Sequence, residues 1–219
     1  MGGAGLRGQS AGETSICTVG VTGSGLTYRG YDVVDLAENT TFEEVAYLLL
    51  HEKLPNSQEL KDYIEKLKSL RGLQPELRSA LEGIPKTAHP MDVLRTGCSV
   101  LGNLEKEEGF LNQTDHADRM LSAFPSILSY WYQFSHFGKR IDTETNDDTI
   151  GGHFLHLLHG KKPSQLHNQV MSVSLILYAE HEFNASTFAA RVCASTLSDI
   201  HSAVTSAIGT LRGPLHGGA

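Results

Sequence analysis

The sequence predicts an all-α protein, a multi-helical domain that follows a short N-terminal β-hairpin. Three observations support this fold class. Helix-capping signals followed by apolar residues at helical spacing recur along the chain after Thr41. Strand-like patterning is confined to the region before residue 30, and the last helical stretch is almost uncharged.

The hairpin is predicted from two short apolar segments, Ile16–Val21 and Leu26–Tyr28. They flank Thr22-Gly23-Ser24-Gly25, a sequence suited to a tight turn. Residues 1–12 are rich in Gly and Ser and lack the apolar stretch of a signal peptide. We therefore predict a flexible tail over residues 1–12 and a single helical domain over residues 13–219.

Helices are predicted from Thr41 onward. Thr41 with Glu44, and Asn56 with Glu59, are capping boxes that begin the first two, and Pro55 and Gly72 lie at their ends. A polar, acidic loop is expected over residues 140–150. Further helices are predicted over Pro75–Leu81, Pro90–Leu101, Asp115–His136 with a kink or break at Pro125, and about 150–159, 167–182, 186–197 and 199–211.

The helices after residue 185 consist mostly of Ala, Ser, Thr and Gly. Between Ala185 and Thr210 only Arg191 and Asp199 carry a formal charge. Small residues allow close helix packing, and a nearly uncharged helix is usually buried. We expect these helices both to be buried within the domain and to contribute to a dimer interface, together with the helix near Pro90–Leu101.

The composition argues against several kinds of partner. The formal net charge is −7 and the pI is about 5.8. An acidic chain without a run of Lys and Arg is poorly suited to nucleic acid or anionic membranes. No apolar run of membrane-spanning length occurs, and Cys17, Cys98 and Cys193 are far apart. We expect a cytoplasmic protein with reduced thiols and neither nucleic-acid nor membrane partners.

His216 is the sharpest local candidate for chemistry. It lies in Gly213–Gly218, where glycines on both sides leave the backbone accessible. A histidine there can act as an acid or hydrogen-bond donor near neutral pH. The alternative is a helix-terminal turn with an incidental histidine.

His181 is the second candidate. It lies between Glu180 and Glu182 at the end of an apolar helix, and Asn184 can cap the next helix. Neighbouring carboxylates favour a protonated imidazole, which would suit a dicarboxylate ligand. A histidine with satisfied hydrogen bonds at a helix interface is the alternative.

His153, His156 and His159 form a third candidate, because their spacing of three places them along one helix face. This invites a metal-site interpretation. However, a single stripe rarely completes a site, and no cysteine lies nearby.

Several separated motifs resemble the citrate synthase family, in the same order along the chain. Within the family, three further segments resemble the 2-methylcitrate synthases: Tyr130–Tyr132, Asp147–Gly160 and Glu182–Asn184. The family motifs are Leu26–Asp32, Phe42–Leu49, His89–Gly97, Glu180–Thr187 and Arg212–Ala219.

The resemblance implies a nearly all-helical fold, here the incomplete large domain, and a homodimer. It also implies condensation of propionyl-CoA or acetyl-CoA with oxaloacetate, without a metal or redox cofactor. This would place the protein in propionate catabolism or the tricarboxylic acid cycle. His216 matches the catalytic histidine that hydrogen-bonds the thioester carbonyl and its enol. His181 matches a histidine that binds oxaloacetate.

The chain departs from the family pattern in one respect. The family's second catalytic histidine, in a Gly-His-Pro motif, and its aspartate base lie further downstream, and no Gly-His-Pro occurs in these 219 residues. We therefore expect the N-terminal part of such an enzyme, inactive alone. Two alternatives remain open: a non-catalytic remnant that acts only as a dimerising helical protein, and an unrelated metal-binding helical protein.

Overall fold

The computed structural model describes residues 11–20, 25–109 and 112–217. These residues form ten helices and one small sheet, so the predicted all-α class with a limited N-terminal β region is confirmed. In chain order the elements are β1 (Cys17–Val19), β2 (Leu26–Tyr28), β3 (Tyr31–Asp32), α1 (Val33–Asn39), α2 (Phe42–His51), α3 (Ser57–Ser69), α4 (Pro75–Glu82), α5 (Pro90–Leu104), α6 (Gln113–Phe137), α7 (Ile150–His159), α8 (Gln165–Leu177), α9 (Ala185–Ala194) and α10 (Ile200–Leu211).

The N-terminal sheet contains the predicted hairpin. Strands β1 and β2 pair antiparallel with Cys17 opposite Tyr28, and β3 adds a third strand that was not predicted. Helix α1 was also missed, because it is short and starts directly at the end of β3, where the Asp32 side chain accepts a hydrogen bond from the Val34 amide. The turn residues 21–24 and tail residues 1–10 lie outside the described residues, whereas Gly12 lies against the Phe183 ring.

Both predicted capping boxes are present. The Thr41 side chain accepts from the Glu44 amide while the Glu44 carboxylate accepts from the Thr41 amide. Asn56 and Glu59 make the same reciprocal pair at the start of α3. Because these bonds join residues three apart, the local sequence alone specifies both helix starts.

Of the kink or break expected at Pro125, the break is wrong, because the 25-residue helix α6 runs through Pro125 without interruption. A proline inside a helix removes one backbone hydrogen bond, and packing can offset that loss. Here Pro125 is buried, and α6 packs against α3, α4, α5, α7 and α10. The polar loop before α7 is confirmed, since residues 138–147 adopt neither helix nor strand.

Two clusters of buried apolar residues form the core. One lies beneath the N-terminal sheet and includes residues of α1, α2, α3 and α8, and the other is centred on α4, α5 and α6. The burial expected within the domain is wrong for α9, which has no buried residue, whereas α10 buries His201, Ala203 and Ile208. The expected place of α9 and α10 in a dimer interface stays a prediction. Helix α9 packs chiefly on α10, so its opposite side stays uncovered. No helix within the described residues is long and apolar enough to cross a membrane.

A polar network lies between α6, α7 and the loop before α7. The buried His153 ring contacts the Ser126 hydroxyl through Nε2 and the Thr145 hydroxyl through Nδ1, both at 3.0 Å. Burial, with a smaller contribution from the Arg71 guanidinium, lowers the pKa of His153 to about 3. His153 is therefore neutral in the folded protein at pH values where it is protonated in the unfolded chain.

This difference predicts acid sensitivity. Between the ordinary histidine pKa of about 6.5 and the folded value, the unfolded state binds the extra proton. His153 should therefore lower the unfolding free energy by up to about 1.4 kcal/mol for each unit that the pH falls below about 6.5. Urea unfolding of the wild type and His153→Gln at pH 7, 6 and 5 measures this contribution.

The glutamine variant should show a shallower pH dependence than the wild type. His159→Gln, at an exposed position in the same helix, is the matched control and should keep the wild-type slope. Parallel pH profiles for wild type and His153→Gln would contradict the prediction.

Candidate active site

A tight turn after α10 places His216. The His216 amide donates to the Gly213 carbonyl at 3.0 Å, which closes the turn. Gly217 follows with φ +134°, and an added Cβ there would lie 2.9 Å from Leu211 Cδ1. Glycine is therefore required at position 217, and the imidazole beside it remains partly accessible.

The His216 ring is held against the start of α9. Its Nε2 atom lies 3.1 Å from the Ser186 amide nitrogen and 2.9 Å from the Ser186 hydroxyl. That hydroxyl donates to Asn184 Oδ1 at 2.7 Å, which uses its one proton. The two contacts call for different tautomers, because the amide can only donate to Nε2, whereas the hydroxyl, whose proton is already used, can only accept from it. The tautomer that fits the amide contact has an unprotonated Nε2 and carries the ring proton on Nδ1.

The N-terminus of α9 explains why that amide is available. The first amides of a helix have no partner within the helix. Asn184 caps the helix by accepting from the Thr187 amide at 2.9 Å, which leaves the Ser186 amide free to point at His216. When Nε2 accepts from this amide, the ring nitrogen that can donate to a ligand is Nδ1.

His181 lies on the segment 178–184, which joins α8 to α9 and contains no helix or strand. The side chain is exposed, and in the described part of the chain neither neighbouring carboxylate forms an ion pair with it. The Glu182 carboxylate instead accepts from the Val19 amide at 3.0 Å, and burial raises the pKa of the Glu180 carboxyl. Of the two flanking carboxylates, Glu182 is thus engaged with the N-terminal sheet, and Glu180 is partly desolvated.

The structure brings the two candidate histidines onto adjoining segments. Ser186, which contacts His216, comes five residues after His181 in the sequence and follows the same connecting segment. Sequence reasoning named His181, His216 and the Asn184 cap but missed Ser186. The cap was the available signal, because it places Ser186 among the free amides of α9.

The three histidines of α7 have separate environments. His153 is buried in the polar network, His156 Nδ1 lies 2.6 Å from Asp147 Oδ2, and His159 is exposed. Across the described residues no three His, Cys, Asp or Glu side chains come together in a way that could hold a metal ion. The stripe seen in the sequence therefore does not act as one unit.

Comparison with known proteins gives consistent similarities. A sequence profile described as the citrate synthase C-terminal domain matches residues 5–219. The chain is 73% identical over 217 residues to a 2-methylcitrate synthase of Shewanella oneidensis, covering 99% of this chain and 58% of the relative. It is 42% identical to 2-methylcitrate synthase 2 of Corynebacterium glutamicum, covering 98% of this chain and 58% of that relative.

A solved structure shows the same fold. It is the citrate synthase of Thermoplasma acidophilum in a ternary complex with carboxymethyl coenzyme A and oxaloacetate. It superposes with a TM-score of 0.91 at 29% identity, covering 98% of this chain and 57% of the solved chain. The present chain therefore spans less than two thirds of the length of these proteins.

Proposed function

The chain belongs to the citrate synthase family, and from that premise we propose that it contributes to the condensation of an acyl-CoA with oxaloacetate. The proposed acyl donor is propionyl-CoA, which gives 2-methylcitrate and CoA. The 73% identity to the Shewanella oneidensis 2-methylcitrate synthase supports this choice. Acetyl-CoA, giving citrate, is the second candidate, because a Bacillus subtilis citrate synthase is 40% identical to the chain.

One observation carries the proposal: the Ser186 amide donates to His216 Nε2, an arrangement in which Nδ1 is the ring nitrogen that can donate to a substrate. The reaction needs a base to remove the weakly acidic α-proton of the thioester and a donor to stabilise the negative charge that develops on the carbonyl oxygen. His216 Nδ1–H is suited to donate to that oxygen as the enol forms. A donor already oriented by the protein requires no reorganisation during the reaction.

His181 is the proposed contact to oxaloacetate. Its exposed ring next to the start of α9 would lie beside the acyl group held at His216. The enol carbon then bonds to the oxaloacetate ketone carbon, and the ketone oxygen takes up a proton. Water cleaves the thioester and releases CoA. No metal or redox cofactor takes part in this scheme.

The base and the ketone-polarising donor are proposed to come from the region that the relatives have beyond the matched residues. The chain spans 58% of their length and contains no Gly-His-Pro motif. The second candidate function is a non-catalytic remnant that only dimerises. The nucleotide sequence after codon 219 distinguishes it from the enzyme. A reading frame that continues past codon 219 into Asn-Glu and a later Gly-His-Pro supports the enzyme, and a natural stop codon supports the remnant.

A thiol-release assay on the complete gene product tests the proposed activity. CoA release should require both oxaloacetate and an acyl-CoA, with propionyl-CoA giving the higher kcat/KM. A higher kcat/KM for acetyl-CoA would reassign the substrate, and no oxaloacetate-dependent release with either thioester would refute the activity.

We infer a homodimer, and the apolar surface between α6 and α7 supports it. Two neighbouring cavities of about 260 and 120 Å³ share Leu128 and Phe154 and are lined almost entirely by apolar side chains. Partly exposed apolar surface of this kind is a common feature of subunit interfaces. The small-residue helices α9 and α10 are the second surface proposed to meet the partner.

Leu128→Lys should weaken the proposed dimer, because it would bury an unpaired charge between subunits. Sedimentation at several protein concentrations should show a dimer dissociation constant at least about 100-fold above that of the wild type. This corresponds to a loss of roughly 3 kcal/mol of association free energy. Leu50→Lys, at a 37% exposed leucine on α2, is the control and should remain dimeric. A dimeric Leu128→Lys protein would remove this surface from the interface.

A further inference from the structure

The segment that carries His181 is attached to the N-terminal sheet at points on both sides of that histidine. Segment 178–184 has no helical or strand hydrogen bonding of its own. The sheet lies about 150 residues earlier in the sequence, yet it supplies polar contacts on both sides of His181.

Tyr28 makes the first attachment. Its ring is fully buried, and its hydroxyl donates to the Ile176 carbonyl at 2.9 Å, at the C-terminal end of α8. The same oxygen accepts from the Glu180 amide at 3.4 Å. One hydroxyl group therefore connects the end of α8 to the residue directly before His181.

Glu182 makes the second attachment. Its Oε1 accepts from the Val19 amide at 3.0 Å, at the end of strand β1. Glu182 adopts φ +56°, a left-handed backbone conformation that non-glycine residues adopt only at a cost. The contact to the sheet thus holds a strained residue directly after His181.

We propose that Tyr28 and Glu182 are positioning residues, which hold segment 178–184 so that His181 is presented to oxaloacetate. This inference rests on the proposed function, because it assigns the segment a substrate. Within the described residues no hydrogen bond holds the His181 imidazole itself, so the attachments of the backbone on either side determine where it lies.

The attachments have an energetic consequence for binding. A segment that is ordered before the ligand arrives does not have to be ordered by the binding energy. Loss of one attachment should therefore appear as weaker oxaloacetate binding, with a smaller effect on the chemical step. A merely structural role would instead lower thermal stability without changing the ratio of the two substrates' KM values.

Three substitutions in the complete gene product test the proposal. Tyr28→Phe keeps the buried ring and removes the hydroxyl, and Glu182→Ala removes the acceptor for Val19. Glu182→Gln keeps an oxygen acceptor and should restore the contact. Tyr63→Phe is the matched control, because it removes another buried tyrosine hydroxyl, which donates to Asp118 at 2.8 Å between α3 and α6.

We expect Tyr28→Phe and Glu182→Ala to raise the KM for oxaloacetate about three- to tenfold, as for the loss of one hydrogen bond. In both variants the KM for the acyl-CoA should stay within about twofold of the wild type. For Glu182→Gln, the KM for oxaloacetate and the KM for the acyl-CoA should both stay within about twofold of the wild type. If Tyr28→Phe and Glu182→Ala only lower the Tm, as Tyr63→Phe should, the proposal is overturned. Should Tyr28→Phe not fold, the Ala and Gln variants of Glu182 decide the outcome.

Amide hydrogen exchange separates this inference from the proposed function. In Tyr28→Phe the amides of segment 178–184 should exchange faster than in Tyr63→Phe, without any substrate present. If the wild-type protein shows no turnover, the proposed function is refuted. The amide exchange rates of segment 178–184 would still test whether Tyr28 and Glu182 attach that segment to the sheet. Unchanged exchange in both Tyr28→Phe and Glu182→Ala would refute the attachment even if the enzyme is active.

Discussion

His216→Ala is expected to lower the kcat of the complete gene product by about 10²–10³-fold, the usual effect of removing one donor that stabilises a developing oxyanion. The KM for oxaloacetate should change by less than about threefold, because His216 contacts the acyl group in the proposed scheme. Steady-state thiol release at varied oxaloacetate and saturating propionyl-CoA measures both constants.

Two further variants make this expectation specific. Ser186→Ala keeps the backbone amide that donates to His216 Nε2, so its kcat should stay within about tenfold of the wild type. His181→Ala should have the opposite signature to His216→Ala, with the larger change in oxaloacetate KM. If His216→Ala retains more than about a tenth of the wild-type kcat, His216 is not the enol-stabilising donor.

The 219-residue chain by itself is expected to show no turnover above background. His216 stabilises an enol only after a base has produced it, and lack of a positioned base costs about 10²–10⁴-fold. Loss of the ketone-polarising donor costs about 10²–10³-fold more, although such effects are not additive. Oxaloacetate binding should also weaken, because a dicarboxylate needs charge-assisted partners.

The matched comparison is a chimera. Residues 1–219 are joined to the region that the Shewanella oneidensis relative has beyond the matched segment, which the 73% identity makes structurally compatible. The chimera should release thiol in the presence of oxaloacetate and propionyl-CoA. Robust release by the 219-residue chain alone would contradict the expectation and mean that its own residues replace the absent base.

The sequence by itself determined the features that depend on near neighbours. The capping boxes at Thr41 and Asn56 are confirmed because each joins residues three apart. The same holds for the β1–β2 pairing, whose partners are close in the chain. The all-helical class implied by the family motifs is confirmed, and the assignment of His181 and His216 as site residues by the same motifs stays a prediction.

Only the tertiary structure decided the features that depend on distant residues. Burial keeps α6 continuous through Pro125, and one side of α9 is left uncovered although the composition of that helix predicts burial. His216 is held by an amide 30 residues earlier, and the segment carrying His181 is attached to a sheet about 150 residues earlier. Such contacts arise from the packing of whole elements, which local propensity and spacing do not specify.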